Sequence, residues 1–350
     1  MSLTSWGAKL AEQGRLPDWI IRRGIRQLCG QRLLHPDRLE CEANQASIER
    51  FVDMMRASPV ALVPEKANEQ PYEVPPAFFE LVLGPHRKYS CCLWDAGVTD
   101  LETAERRALE VTCERAELFD GAEILELGCG WGSLTLFMAA RYPQSRITAV
   151  SNSAPQRREI ERLAASRGLT NVRVLTADMN DFAADGVFDR VISVEMFEHM
   201  RNYEELLRRI SGWLKPGGKL FIHIFTHDRL AYTFETDGPD DWMGQYFFTG
   251  GIMPADGLIA RFQRDLKLER HWRWNGRHYA RTCNAWLAQQ DANRDAVFPI
   301  LAESYGADKA SLWFQRWRMF FMACAELFDF GGGEEWGVGH YLMARMKDEG

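Results

Sequence analysis

Short apolar runs alternate with helical patterns through the middle of the chain. Five runs rich in Val, Ile and Leu are separated by segments whose apolar residues recur at helical spacing. Such an alternation is typical of a parallel sheet covered by helices on both faces. It predicts strands at Ile124–Leu127, Ile147–Val150, Val172–Leu175, Val191–Val194 and Leu220–Ile224, and helices near 133–141, 154–167 and 203–214.

The sequence before these strands predicts a helical N-terminal extension over residues 1–63. One helix is expected to start at Leu16-Pro17-Asp18-Trp19, with Asp18 as its cap. Its apolar positions lie between several arginines, a pattern that can lie on an anionic membrane. Packing against its own protein, with the arginines in solvent, is the favoured interpretation, and membrane contact stays open.

A connecting segment and a lead-in helix are expected over residues 64–120, before a catalytic domain over 121–350. Five prolines between 64 and 86 indicate a connection rather than regular structure. Helical spacing resumes over 101–118. A tight turn at 215–218 (Lys-Pro-Gly-Gly) should lead into the fifth strand.

Residues 226–262 are rich in aromatics, glycine and aspartate, and they predict an insertion that covers a site. A strand near 266–273, helices near 277–290 and 307–328, and a strand over Val338–Met346 should follow. The aromatic residues of this half either wall an apolar pocket or pack in the core. They are Trp242, Tyr246, Phe247, Phe248, Trp272, Trp274 and Trp286.

Composition narrows the class of protein. The 350 residues allow one large domain or two moderate ones, and the net charge of −7 argues against a general nucleic-acid binder. No run of apolar residues is long enough to span a membrane.

The eight cysteines form no CxxC pair, and no secretory leader opens the chain, so reduced thiols in a cytoplasm are expected. No HExxH or cysteine cluster accompanies His223 and His227, which predicts no catalytic metal. The oligomeric state, including a homo-oligomer, stays open.

A glycine-rich loop follows the first predicted strand and opens a helix. Its glycines, Gly128, Gly130 and Gly132, fall as GxGxG around Cys129, whereas a dinucleotide fingerprint reads GxGxxG. Glu126 stands two positions before the first glycine, where it would repel a pyrophosphate. The spacing resembles the cofactor motif of Rossmann-like methyltransferases, in which this acid faces the amino-acid end of S-adenosylmethionine.

The ends of the second and third strands supply further candidates for cofactor binding. No acid follows the second strand, so the ribose diol is assigned to Asn152, Ser153 and Gln156. Asp178, after the third strand, could bind the adenine amino group, and Met179 could pack on the ring. A helix cap is the alternative role for Asp178.

Three separated motifs resemble the cyclopropane-fatty-acid synthase superfamily of methyltransferases. The resemblance covers the chain from about residue 70 to its end. It implies a Rossmann-like class I methyltransferase fold (α/β, a mostly parallel seven-stranded sheet) and adds Tyr89 and Ser90 to the cofactor site. The motifs are Tyr89-Ser90-Cys91-Cys92-Leu93-Trp94, Glu126 to Gly132, and Glu195-Met196-Phe197-Glu198-His199-Met200.

Two branches of this superfamily compete. Glu195 stands where lipid enzymes usually have glycine, as in the coclaurine N-methyltransferase-like branch, which methylates amine nitrogen. Ser151-Asn152-Ser153, the run Glu334-Glu335-Trp336 and the N-terminal helix also look like that branch. The lipid branch, in contrast, holds a bicarbonate ion as base. The ligands of that ion match Cys91, Glu198, His223 and Tyr279, and all four residue types are retained.

The chemistry of methyl transfer gives the candidate residues their roles. An amine must lose a proton before its nitrogen attacks the methyl group, so Glu198 could hold the protonated amine and His199 could take the proton. Glu195 could orient a cation or make a structural hydrogen bond. The leading hypothesis is therefore an amine N-methyltransferase. A fatty-acyl cyclopropane or C-methyl synthase is the alternative, and a cofactor-binding protein without chemistry is a third.

Overall fold

A computed structural model describes residues 3–34, 40–62, 74–236, 238 and 241–345. Its centre is a seven-stranded sheet whose strands follow the apolar runs of the sequence. The strands are β1 Glu123–Leu127, β2 Arg146–Ser151, β3 Val172–Thr176, β4 Phe188–Val194, β5 Leu214–His227, β8 Leu266–Asn275 and β9 Trp336–Arg345.

The sheet has the order β3-β2-β1-β4-β5-β9-β8. The strands β1 to β5 are parallel, and β9 runs antiparallel to both β5 and β8. The order reverses between β1 and β4, and ligands bind at such reversals outside the carboxyl ends of the strands. Two short strands, β6 Tyr232–Thr233 and β7 Ile252–Met253, pair with each other in the insertion.

Helices surround this sheet: of those in the described residues, five precede β1, and seven lie between its strands in chain order. They are α1 Leu3–Glu12, α2 Asp18–Arg32, α3 Cys41–Arg56, α4 Pro76–Val82, α5 Leu101–Arg115, α6 Ser133–Arg141, α7 Ala154–Ser166, α8 Tyr203–Trp213, α9 Trp242–Tyr246, α10 Arg277–Ala292, α11 Arg294–Tyr305 and α12 Ala310–Asp329.

Alternate residues of each central strand enter different core clusters. Leu125 and Leu127 of β1 join the cluster that contains Leu206 and Ile210 of α8. Ile124 points to the opposite face, because successive side chains of a strand alternate, and it joins Leu109 of α5 and Met138 of α6. Helices therefore cover both faces, and the predicted α/β fold with its mostly parallel seven-stranded sheet is confirmed.

The start of α2 corrects one expectation. The helix begins at Asp18, and Pro17 occupies the cap position without a side-chain hydrogen bond. The Asp18 carboxylate instead accepts hydrogen bonds of 3.0 and 2.8 Å from Arg318 of α12. Further along α2, Arg22 and Arg26 both donate to the buried carboxylate of Glu326, so this helix packs against its own chain. None of the helices in the described ranges is both long and apolar enough to cross a membrane.

The expected absence of regular structure throughout 64–86 was wrong for the helix α4. Its proline, Pro76, stands in the first turn, where a missing N–H costs no hydrogen bond and the fixed φ suits a helix. Residues 63–73 lie outside the described part of the chain. The helix α11 was also missed, because Pro299 in its interior breaks the sequence signal.

The turn expected before the fifth strand is a bulge within β5. Pairing with β4 passes from Phe188–Leu214 to Arg190–Lys219, so residues 215–218 loop out of the ladder. The predicted strand over Val338–Met346 is observed as β9 through Arg345, and Met346 lies outside the described residues.

Candidate active site

A cleft with two lobes lies at the carboxyl ends of the parallel strands. The lobes share Gly128, Gly130 and Glu195, and they enclose about 770 and 550 Å³ of space that opens in part to solvent. Of the residues predicted to bind cofactor, Asn152, Gln156, Asp178 and Met179 line the larger lobe, and Tyr89, Ser90, Glu126 and Cys129 line the smaller one.

The glycine loop brings bare backbone to the junction of the lobes. Gly128 has a φ of +78°, and a Cβ built there would lie 2.8 Å from the Cβ of Met196. Glycine is therefore required by both conformation and space. Gly132 stands beside the cleft instead, as the left-handed cap of α6, where an added Cβ would meet Ile160.

Glu126 is a buried carboxyl on the wall of the smaller lobe. One of its oxygens accepts a 2.5 Å hydrogen bond from the Thr135 hydroxyl. Burial raises the pKa of this carboxyl to about 8. A cationic group bound in this lobe would favour its ionised form.

The segment after β2 is held by its own hydrogen bonds. The Ser151 hydroxyl donates to the side-chain oxygen of Gln156 at 2.6 Å. Ser153, predicted to bind ribose, caps α7 by accepting from the Gln156 backbone N–H. On the third strand's loop, an Asp178 oxygen accepts from the Asn180 N–H at 2.8 Å and closes a local turn.

Buried polar atoms of the cleft lack partners among the described residues. They are Nε2 of Gln156 in the larger lobe and the Trp131 Nε1 and Ser133 Oγ atoms in the smaller one. A buried donor without an acceptor is costly, so these atoms fit a polar ligand that spans both lobes.

Glu195 lies at the centre of a set of donors where β4 ends. Its Oε1 accepts from the Cys91 backbone N–H at 3.0 Å and lies 3.2 Å from His223 Nε2, and its Oε2 accepts from the Tyr279 hydroxyl at 2.6 Å. Cys91 thus contributes its amide, because its thiol donates to the Cys92 carbonyl. Burial raises the pKa values of both the Glu195 carboxyl and the Tyr279 hydroxyl.

Glu198 and His199 follow on the single 3₁₀ turn Phe197–His199. Glu198 is buried, burial and the charge of Glu195 raise its pKa, and its Oε2 has no hydrogen-bond partner within the described chain. His199 lines the larger lobe, and its ring stacks on Phe248 of the insertion at 4.8 Å between centroids. The surrounding protein lowers the pKa of the His199 imidazole to about 4, so the ring is neutral at pH 7.

The aromatic residues of the second half divide between site and core. Phe248 is the member of the insertion group that contacts a candidate catalytic residue. Phe247 stacks on Phe320 of α12 and joins the core there, whereas Trp242 donates to Glu12 and links the insertion to α1.

Sequence reasoning missed several residues at or near this cleft. Thr249, Gly250 and Ala61 line the larger lobe, and Ala61 comes from the N-terminal extension. The Asn180 side chain donates to the Ala61 carbonyl and accepts from its N–H, at 3.1 and 2.9 Å. Lys88 is buried beside the smaller lobe and donates to the Cys91 carbonyl. No local pattern predicts the contact between Asn180 and Ala61, because it joins positions 119 apart in the chain.

Residues 63–334 match the family described as mycolic acid cyclopropane synthetase. This chain belongs to that family. It is 37% identical to an (S)-coclaurine N-methyltransferase of Thalictrum flavum subsp. glaucum, over 96% of this chain and 94% of the relative. It is 29% identical to the cyclopropane-fatty-acyl-phospholipid synthase of Escherichia coli K12, over 68% of this chain and 59% of the relative.

The chain is also similar to solved structures of both kinds of enzyme, an N-methyltransferase and a cyclopropane synthase. A coclaurine N-methyltransferase bound to N-methylheliamine and S-adenosylhomocysteine has a TM-score of 0.88 and 35% identity, over 96% of this chain and 97% of that one. A Mycobacterium tuberculosis cyclopropane synthase has a TM-score of 0.68 at 23% identity, over 81% and 99%, and shows the shared fold. The predicted resemblance is confirmed, and the protein is an S-adenosylmethionine-dependent methyltransferase.

Proposed function

We propose that this enzyme transfers a methyl group from S-adenosylmethionine to the nitrogen of a small amine. One observation carries the choice of acceptor. Cys91, His223 and Tyr279, which the family resemblance assigned to bicarbonate, all contact the carboxyl group of Glu195. The Cys91 amide and the Tyr279 hydroxyl donate to it, and His223 Nε2 lies at hydrogen-bonding distance. We infer that this built-in carboxylate makes a bicarbonate ion unnecessary. The N-methyltransferase names of the relatives that match nearly the whole chain agree with this choice.

Each lobe of the cleft has residues that suit one part of the cofactor. Asp178 and Met179, with Asn152 and Gln156, would hold the adenosine part in the larger lobe. Glu126, with Tyr89 and Ser90, would hold the amino-acid part in the smaller lobe. The cofactor supplies an electrophilic methyl group on a positively charged sulfur. Glu195, which lines both lobes, marks the junction at which donor and acceptor would meet.

The remaining residues would prepare the amine. Glu195 and Glu198 place two carboxyl groups at the end of β4. Burial raises the pKa values of both, and an ammonium ion bound beside them would favour their ionised forms and be oriented by them. The neutral His199 ring can accept the proton that must leave before the nitrogen lone pair is free. Thr249 and Gly250 of the insertion wall this lobe and limit access of water.

The test is a product assay with a mixed acceptor pool. Purified protein is incubated with S-adenosylmethionine, a panel of primary, secondary and tertiary amines, and vesicles of unsaturated phospholipid, and products are identified by mass spectrometry. We expect amines that gain one methyl group, at the same rate in carbon dioxide-free buffer and in bicarbonate. Methylation or cyclopropanation of acyl chains alone, or a rate that requires bicarbonate, would overturn the proposal.

Binding of S-adenosylmethionine at pH 7 is expected to release a proton from Glu126. The pKa of this carboxyl is about 8 in the free protein, so it is mostly protonated at pH 7. An ammonium group in the smaller lobe favours the ionised form and lowers that pKa, which releases up to about one proton. Calorimetry in buffers of different ionisation enthalpy measures the number released. Glu126→Gln should bind without this release, and an unchanged proton count in that variant would contradict the assignment.

A further inference from the structure

A line of hydrogen bonds leads away from Glu195, through the sheet and towards the surface. His223 bonds Glu195 through Nε2, and its Nδ1 lies 2.8 Å from Nε2 of His340. The Nδ1 of His340 lies 2.8 Å from the guanidinium of Arg115. Two histidine side chains thus connect a candidate catalytic carboxylate with Arg115, a half-buried cation at the end of α5.

The fold holds these groups rigidly. His223 on β5 and His340 on β9 are direct partners in the antiparallel register, and both are buried to within 1% exposure. The Arg115 guanidinium lies 5.0 and 5.5 Å from the ring centres of Trp272 and Trp274. Trp274 also packs against the His340 ring at 4.3 Å, so both tryptophans belong to this line of contacts.

The guanidinium of Arg115 sets the direction of every hydrogen bond between it and Glu195. A guanidinium only donates hydrogen bonds, so the Nδ1 of His340 must be an acceptor and its proton must be on Nε2. That N–H donates to Nδ1 of His223, which places the His223 proton on Nε2 as well. The last N–H then points at the carboxylate of Glu195.

We propose that Arg115 is a positioning residue, which fixes His340 and His223 as Nε2–H tautomers so that His223 always presents a donor to Glu195. The catalytic consequence rests on the proposed function, whereas the tautomers do not. A carboxylate that receives this donor is favoured in its ionised form. Without Arg115, His223 could present a lone pair, which could accept a hydrogen bond only from a protonated Glu195.

The surroundings of the line agree with this direction. Burial lowers the pKa values of His223 and His340 well below the usual 6.5, so both rings are neutral and each has one N–H. Burial raises the pKa of the Glu195 carboxyl, whereas Lys88 and the hydrogen bonds from Cys91 and Tyr279 lower it. Other ionisable groups that face this carboxyl are His199 and Glu198. Lys88 and His271 also act on His340, and both lower its pKa.

Nuclear magnetic resonance of the imidazole nitrogens tests the tautomers directly, in the wild-type enzyme without any substrate. We expect His223 and His340 to be protonated on Nε2, with assignments from His223→Gln and His340→Gln. A proton on Nδ1 of either ring would overturn the proposal. The tautomers can be measured whether or not an amine is the methyl acceptor. A negative result would therefore contradict this proposal without contradicting the proposed function.

Replacement of Arg115 provides the kinetic test. Arg115→Met should produce mixed tautomers, raise the acidic limb of the kcat profile by about one pH unit and lower kcat about tenfold below that limb, with little change in KM. Arg115→Lys keeps a donor and should restore the profile at least in part. A merely structural role would lower stability in both variants and leave the pH profile and the tautomers as in the wild type, which would refute the proposal.

Discussion

Replacing Glu195 by glycine is expected to lower kcat for amine methylation by roughly 10²–10⁴-fold, the range for loss of a catalytic acid or base. The variant should still fold, because Glu195 has a φ of +48°, a conformation that glycine adopts more easily than glutamate. The Cys91 amide, His223 and the Tyr279 hydroxyl, which surround the Glu195 carboxyl, would then face an empty space of carboxylate size. Added bicarbonate should therefore restore part of the activity.

The experiment measures kcat in carbon dioxide-free buffer and across a bicarbonate series. Glu117→Gly is the matched control, since Glu117 has a φ of +54° but binds Lys219 outside the cleft. It should retain wild-type kcat and show no response to bicarbonate. If Glu195→Gly stays fully active without the ion, the central role given to this carboxylate is wrong.

Replacing His199 by phenylalanine is expected to lower kcat by roughly 10²–10⁴-fold, equally from about pH 5.5 to about pH 9. Phenylalanine keeps the stacking on Phe248 and removes the proton acceptor. The pKa of His199 is lowered to about 4, so its ring stays neutral throughout this range and gains charge only as pH falls through 4. The ratio of wild-type to variant kcat should therefore be flat.

Steady-state kinetics across this range measures the ratio, in which protonation of the amine itself cancels. Phe248→Leu removes the stacking partner while the imidazole stays, and its loss should be much smaller. A wild-type limb near pH 6.5 that disappears in His199→Phe would mean that the histidine titrates in its ordinary range, contrary to this account.

The sequence predicts the sheet and the cofactor loop because both signals are local. Each parallel strand is buried on both faces and reads as an apolar run, and the GxGxG spacing reflects conformations that glycine alone adopts easily. The ends of four strands then locate Gly128, Asn152, Asp178 and Glu195 at one edge. The helix α4 escaped prediction because its proline stands where a helix tolerates one.

The contacts of the site depend on pairing between distant segments, which no local pattern records. His340 faces His223 only because β9 returns antiparallel beside β5, 117 positions along the chain. Likewise, the motif that contains Cys91 identifies the residue, yet its amide rather than its thiol reaches Glu195. The residue types could be chosen from the sequence, but the atoms that make these contacts could not.

Two hydrogen bonds between Asn180 and Ala61 join the N-terminal extension to the loop after β3. The bonded positions lie 119 apart, and the Arg201 N–H adds a bond to the neighbouring Val60 carbonyl. Ala61 lines the larger lobe, so that wall is complete only when the extension is docked. If the larger lobe holds the adenosine part as proposed, the affinity for S-adenosylmethionine should depend on contacts between a segment that is synthesised early and a loop that is synthesised much later.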